Sequence, residues 1–334
     1  MTRIFTEGFR VFFLAAGLFA VAAIGFWLWV LEGGPTPFAM APTHWHAHEM
    51  VFGFAAAALG GFFLTAVPNW TGAKAAPERF IAIVWGLWLA GRAAIWFSGA
   101  LPAGLVAVVD LAFLPILAAK ILTQLLKRPK PQNLIFLILL ALVWTGNLLM
   151  HLEWLGLADT AAQGLRGGML AVCAMIAALG GRVTPAFTRN AMLREGIGSG
   201  LPVSRKWADL PGTALPILLA GMVLADLPSA WVALAAGGFA AIRLAGWRPD
   251  WARHQPIVLA LHLGYGMLAL GYLCWGLAGL GFGSEIAALH VLGIGAIGGM
   301  TLAVMSRASL GHTGRALVAP GPVALAYLLM PLAV

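Results

Sequence analysis

His44, His46, His48 and Glu49 fall within six residues, and an apolar run from Met50 to Val67 follows at once. Imidazole is the commonest side chain for holding a transition metal, and a carboxylate beside it orients the ring or relays a proton. Ionisable groups at a membrane boundary are costly unless they bind or pair with something. The cluster therefore points to a metal or haem held near one membrane face. His44 and His48 are four apart and share a helix face if the helix begins early enough; His46 points elsewhere, toward a second centre.

More polar residues interrupt the apolar sequence. His151 and Glu153 end the fifth apolar run, and His290 lies early in the tenth. Asp110 sits in the middle of the fourth, where an acid is by default functional or paired; a proton relay and a hydrogen bond to a neighbouring helix are equally open. His262 is either a ligand or a hydrogen-bonding partner for an adjacent helix. His312, in S-L-G-H-T-G-R, is a ligand candidate or an ordinary loop residue. Imidazole suits copper and haem iron alike, so ligand type does not choose between them. Cys173 and Cys274 lie in apolar runs without a CxxC partner and read as packing residues. No nucleophile elbow, P-loop or HExxH motif is present, so no catalytic residue is assigned. The G-x-G-x-x-G match at 293–298 lies inside an apolar run, not after a strand, and carries no dinucleotide reading.

The elements that position these residues are membrane helices. The chain is 61% apolar and 10% charged, with a mean hydropathy of +0.91, more apolar surface than a soluble core absorbs. Runs near 10–31, 45–67, 78–98, 101–125, 132–152, 163–183, 211–227, 229–245, 254–279 and 284–306 read as spans. An eleventh begins near Pro322 and stops at Val334, short of the roughly twenty residues a span needs. The expectation is an all-α polytopic membrane protein of about twelve spans when intact, ten or eleven of them here. The first run is full length with no small-residue cleavage site after it, so it reads as a retained span.

Of the twenty Lys and Arg, all but Arg92 and Arg166 fall at the amino terminus or near junctions after even-numbered spans. Glu32, Glu153, Asp159, Asp226 and Glu285 mark the opposite side. This is the positive-inside pattern and puts the amino terminus in the cytoplasm. Basic loops facing anionic lipid account for the net charge of +8, which excludes a nucleic-acid partner. Arg92 and Arg166, on the outer side, either snorkel to headgroups or neutralise a buried anion such as a pair of haem propionates.

A block recurs: A-L-G-G at 58–61, A-L-G-G at 178–181 and A-I-G-G at 296–299. The spacing suggests one transmembrane domain over 1–334 built from four-helix units at 1–131, 132–253 and 254–334, the last incomplete. Paired glycines let helices approach closely, or let a flat macrocycle pack on the same face. His48 lies twelve residues before Gly60, and His290 eight before Gly298. On continuous α-helices that difference of four keeps both on one face, a turn apart in depth, and allows a haem with two axial imidazoles.

The segments H-A-H-E-M-V-F-G-F (46–54), L-T-A-V-P-N-W-T-G (64–72), G-R-V-T-P-A-F-T-R-N (181–190) and G-A-I-G-G-M-T-L-A-V-M-S-R-A-S-L-G-H-T-G-R (295–315) resemble the NnrS family over nearly the whole chain. The resemblance implies a bacterial inner-membrane protein of about twelve spans, associated with haem and copper, with denitrification regulons and with protection against nitric oxide. Together with the residues it sets these expectations. His48 and His290 are haem ligands, with Arg92 and Arg166 on the propionates. His44, His46 and His151 bind copper, and Glu49 and Glu153 are supporting carboxylates. His262, Asp110 and His312 are further candidates. The partners are nitric oxide or a related small molecule, the lipid bilayer and a membrane electron donor. The alternatives are a copper transport or delivery protein and a haem-based sensor without catalysis.

Overall fold

The computed structural model describes residues 3–334. Among them all regular structure is helical. Nine helices are long and apolar enough to cross a membrane by length and composition, and Ala230–Ala245 and Gly321–Leu332 are shorter apolar helices. Their order follows the hydropathy runs. Outward faces carry Leu18, Val21 and Val108, more than half exposed, as suits a polytopic protein in lipid. Contacts divide the chain into a unit ending at Gly168 and a second unit, Met169–Val334.

In the first unit, Gly8–Leu31 packs on the long helix Pro42–Thr71. Gly61 makes the approach close, because a Cβ there would lie 2.7 Å from the Phe13 ring. The Thr65 hydroxyl ties the two together. It accepts the Phe9 backbone N–H at 3.0 Å and donates to the Gly61 carbonyl at 2.8 Å. Phe9 is in the first turn, where backbone N–H groups have no partner within their own helix.

The fourth span is two helices, Ala103–Leu111 and Phe113–Leu125. Pro115 causes the break: it has no N–H and its ring crowds the carbonyl of Leu111, four residues back. The indole of Trp144 donates to that carbonyl at 3.1 Å. Asp110 therefore sits in the last turn of the first helix, two residues before the one-residue break at Ala112, whose backbone stays right-handed helical.

The Pro42–Thr71 helix is not uniformly α-helical. Pro42–His48 is α, Glu49–Ala55 is π, and Ala56–Thr71 is α again. In the second unit Glu285–His290 is α, Val291–Gly298 is π, and Gly299–His312 is α. Each histidine is the last α residue before its π segment. The same-face argument counted four residues along continuous α-helix from the glycine pairs. Those counts run across π turns, so the equivalence of the two histidines rests on the start of the π segment instead.

Within the second unit Arg243 is a buried hub. It donates to Asp209 (3.0 Å), to the Ala177 and Gly212 carbonyls (each 3.0 Å) and to the Tyr265 hydroxyl (2.7 Å). The Gly212 carbonyl is available because Pro216, four residues on, donates nothing to it. The guanidinium lies directly against Gly181. The glycine pairs at 60, 180 and 298 are each covered by protein: Phe113 and Phe12, Tyr265 and Arg243, Met330 and Gly264.

Candidate functional site

The first π segment opens with Glu49, the residue after His48, and both side chains are buried. His48 Nδ1 is 2.9 Å from Glu49 Oε1. His48 Nε2 is 2.8 Å from Asn147 Oδ1 and 3.2 Å from Asp110 Oδ2. Asp110 Oδ2 also accepts from Asn147 Nδ2 at 2.8 Å and meets His151 Nε2 at 2.9 Å. Arg92 donates from one nitrogen to Glu49 and from another to Asp110. All six side chains are at most 7% exposed.

The elements explain this convergence. Asn147 and His151 are four apart on the Pro131–Trp154 helix, so they share a face. Asp110 meets them from the broken fourth span. Arg92 reaches in from Glu78–Trp96. Two glycines make room. A Cβ at Gly91 would lie 2.9 Å from Asp110 Oδ1, and one at Gly53 would lie 3.1 Å from an Arg92 nitrogen. The indole of Trp88 donates to the Gly53 carbonyl at 2.9 Å, inside the π segment. Trp154 closes the site, its ring 5.2 Å from His48 and 5.0 Å from His151.

The arrangement has two chemical consequences. His48, Asp110 and His151 each present a ligand atom, all within 4.8 Å of one another, which is a spacing that suits one metal ion. Two carboxylates, Glu49 and Asp110, face one guanidinium, so the cluster needs one more positive charge. A second proton on an imidazole or a metal cation supplies it.

The other sequence candidates lie elsewhere. His44 is half-buried on the Pro42–His48 helix, and His46 stacks on Trp27 with ring centroids 4.4 Å apart. Glu153 Oε2 accepts the Ala161 backbone N–H at 2.7 Å and so caps the Ala161–Arg194 helix, which carries half-buried Arg166 in its second turn. In the second unit His290 is exposed and donates from Nδ1 to the Ile286 carbonyl at 2.7 Å, which leaves Nε2 as a lone-pair donor. His262 is buried with its ring nitrogens 3.0 Å from the Val258 carbonyl and 3.2 Å from the Trp247 carbonyl. His312 is exposed at the end of its helix. Asn147, Gly53 and Gly91 were not candidates from sequence. The i, i+4 spacing of Asn147 to His151 was the available signal.

No curated protein matches the chain. The family described as NnrS protein matches residues 3–334, so the chain belongs to the NnrS family.

Proposed function

We propose that this chain is a copper-binding membrane protein of the nitric oxide response, with His48, Asp110 and His151 as the metal ligands. Family membership supports the nitric oxide context. The convergence of three donor atoms within 4.8 Å, in a buried cluster one positive charge short, carries the metal reading. Two imidazole nitrogens and one carboxylate oxygen suit copper, zinc or iron, and the resemblance to a copper-associated family favours copper. With a metal bound, His48 would hold it through the nitrogen that now meets Asn147, and Glu49 on Nδ1 would keep the ring in one orientation. Arg92 positions both carboxylates. Bound copper supplies a redox-active centre for nitric oxide.

The fit to haem is different. His290 meets the need of an axial ligand, with Nδ1 held and Nε2 open. His48 meets it only by giving up its Asn147 and Asp110 contacts, and Arg92 is committed to Glu49 and Asp110 rather than open to a propionate. The reading therefore gives copper to His48 and leaves haem to His290. The resemblance points to the bacterial inner membrane, and the distribution of basic residues to a cytoplasmic amino terminus. A membrane electron donor would complete a redox role.

The test is copper analysis and an oxidised-minus-reduced visible spectrum on purified protein, beside His48→Ala and His151→Ala. Wild type is expected to hold copper, and each variant to lose most of it. Unchanged copper in both variants would sink the assignment. Copper without nitric oxide consumption would favour delivery, and haem alone a sensor. The metal-free reading is a proton relay through Glu49, His48, Asp110 and His151, favoured by their continuous hydrogen bonding. It is selected if wild type holds no metal.

A further inference from the structure

In the second unit the Ala161–Arg194 and Glu285–His312 helices run side by side toward their basic ends. A Cβ at Gly180 would lie 3.2 Å from the Met300 methyl group. Two turns further along each helix, the Arg307 guanidinium carbon lies 3.8 Å from the centre of the Phe187 ring. Arg307 is 8% exposed. Its Nη1 is shielded from solvent without a hydrogen-bond partner, and among the described residues no carboxylate pairs with it. The chain order explains the lack. The Ala161–Arg194 helix contains no acid, and none follows Glu285 as far as Val334. Burying an unpaired cation costs more than one aromatic face returns, so Arg307 calls for an anion. Arg194 lies seven residues past Phe187 on the same helix face, is exposed, and acts on Arg307 as a second positive charge. An anion between the two relieves that repulsion as well as gaining contacts.

Position favours an anion carried by a lipid. The Glu285–His312 helix has 28 residues, about 40 Å at helical rise, against a hydrocarbon core of about 30 Å. Arg307 comes about 8 Å before its end, at the level where headgroup phosphates meet the acyl chains. The Phe187 ring covers one face of the guanidinium and fixes its plane, which leaves the donor edge for a ligand. Leu310, one turn beyond Arg307, and Leu317 pack on the apolar cluster that contains Ala191, so the surroundings of the charge are apolar. Glu195, the acid next to Arg194, is exposed and bonded to Gln255.

We infer that Arg307 is the centre of a lipid site and binds the phosphodiester of an anionic phospholipid in the leaflet at this basic end. A phosphodiester carries a single negative charge, which matches the single buried cation. The planar guanidinium binds two phosphate oxygens at once. Arg194 favours a lipid with net negative charge over a zwitterionic one. A lipid also keeps its acyl chains beside the apolar border of the site, which a soluble phosphate does not. The inference does not rest on the metal reading, which concerns the other unit.

The test uses the whole purified protein in phosphatidylcholine nanodiscs containing a minor share of phosphatidylglycerol. The phosphatidylglycerol that stays with the protein after detergent extraction is measured by mass spectrometry. Wild type is expected to retain it well above its share of the bilayer. Arg307→Gln should lower that retention about tenfold, and Arg194→Gln about threefold. Arg205→Gln, at an exposed loop position, should leave it unchanged. Inorganic phosphate, titrated by calorimetry into protein in pure phosphatidylcholine nanodiscs, probes a soluble source of the same anion. Arg194 is exposed, so Arg194→Gln keeps the test readable if Arg307→Gln misfolds. No enrichment in wild type, unchanged retention in Arg194→Gln, an equal loss in Arg205→Gln, or phosphate binding without phosphatidylglycerol enrichment overturns the inference.

Discussion

Asp110→Ala is expected to destabilise the first unit by about 3–5 kcal/mol, the range for breaking a buried ion pair from one side. Four groups lose a partner together. Arg92 keeps only Glu49, and His48, His151 and Asn147 lose their shared acceptor. None can turn to water, because all are buried. Asp110→Asn keeps the shape and one acceptor but removes the charge, so its effect should be smaller. The measurement is thermal unfolding in one detergent, followed by circular dichroism. Asp110→Ala should melt about 6 °C or more below wild type. A melting point within about a degree of wild type would show that the network contributes nothing to stability.

The second large effect is steric. A Cβ at Gly146 would lie 2.6 Å from the Gly164 carbonyl oxygen and 2.6 Å from Gly168 Cα. Both neighbours are backbone, so no flexible side chain can yield. Overpacking by a methyl group or two costs about 1–3 kcal/mol, and Gly146→Leu adds four carbons to a helix crossing with no space. Asn147 is the next residue and His151 follows one turn later, so parting these helices also pulls two groups from the site. Gly146→Leu should give little monodisperse protein, and what is recovered should hold no metal at His151. Gly86→Leu is the control: nothing lies within 4 Å of a Cβ there. Normal yield from both variants would show that the close crossing is dispensable.

The helices were legible in the sequence because hydropathy over about twenty residues reports burial in lipid directly. The break after Asp110 was not read from the sequence, because hydropathy passes over it: Ala103–Leu125 is apolar throughout, and only Pro115 marks the place. In the site, Asp110 stood out because a lone acid in an apolar run demands a partner. Which partner it finds depends on tertiary packing, which the chain order does not disclose: Arg92 comes from one helix, and Asn147 and His151 from another. Asn147 was invisible for a different reason. An amide in a helix is common, and only its place between His48 and Asp110 gives it meaning. The sequence reading divided the histidine cluster between haem at His48 and copper at His44 and His46; what it did not show is burial, with His48 inside and His44 and His46 half-buried.

The two π segments bear on how sequences of this family should be compared. A π turn carries an extra residue relative to the α-helix on either side. In this chain twelve residues separate His48 from Gly60 and eight separate His290 from Gly298, yet both histidines sit at the same boundary. An alignment anchored on the glycines will mismatch the histidines, and one anchored on the histidines will open a gap before the glycines. Loss of a single residue from Glu49–Ala55 would turn His48 by about 100° relative to the helix beyond and swing it away from Asp110. Insertions and deletions, which substitution tables ignore, are thus a route by which such a site is made or lost.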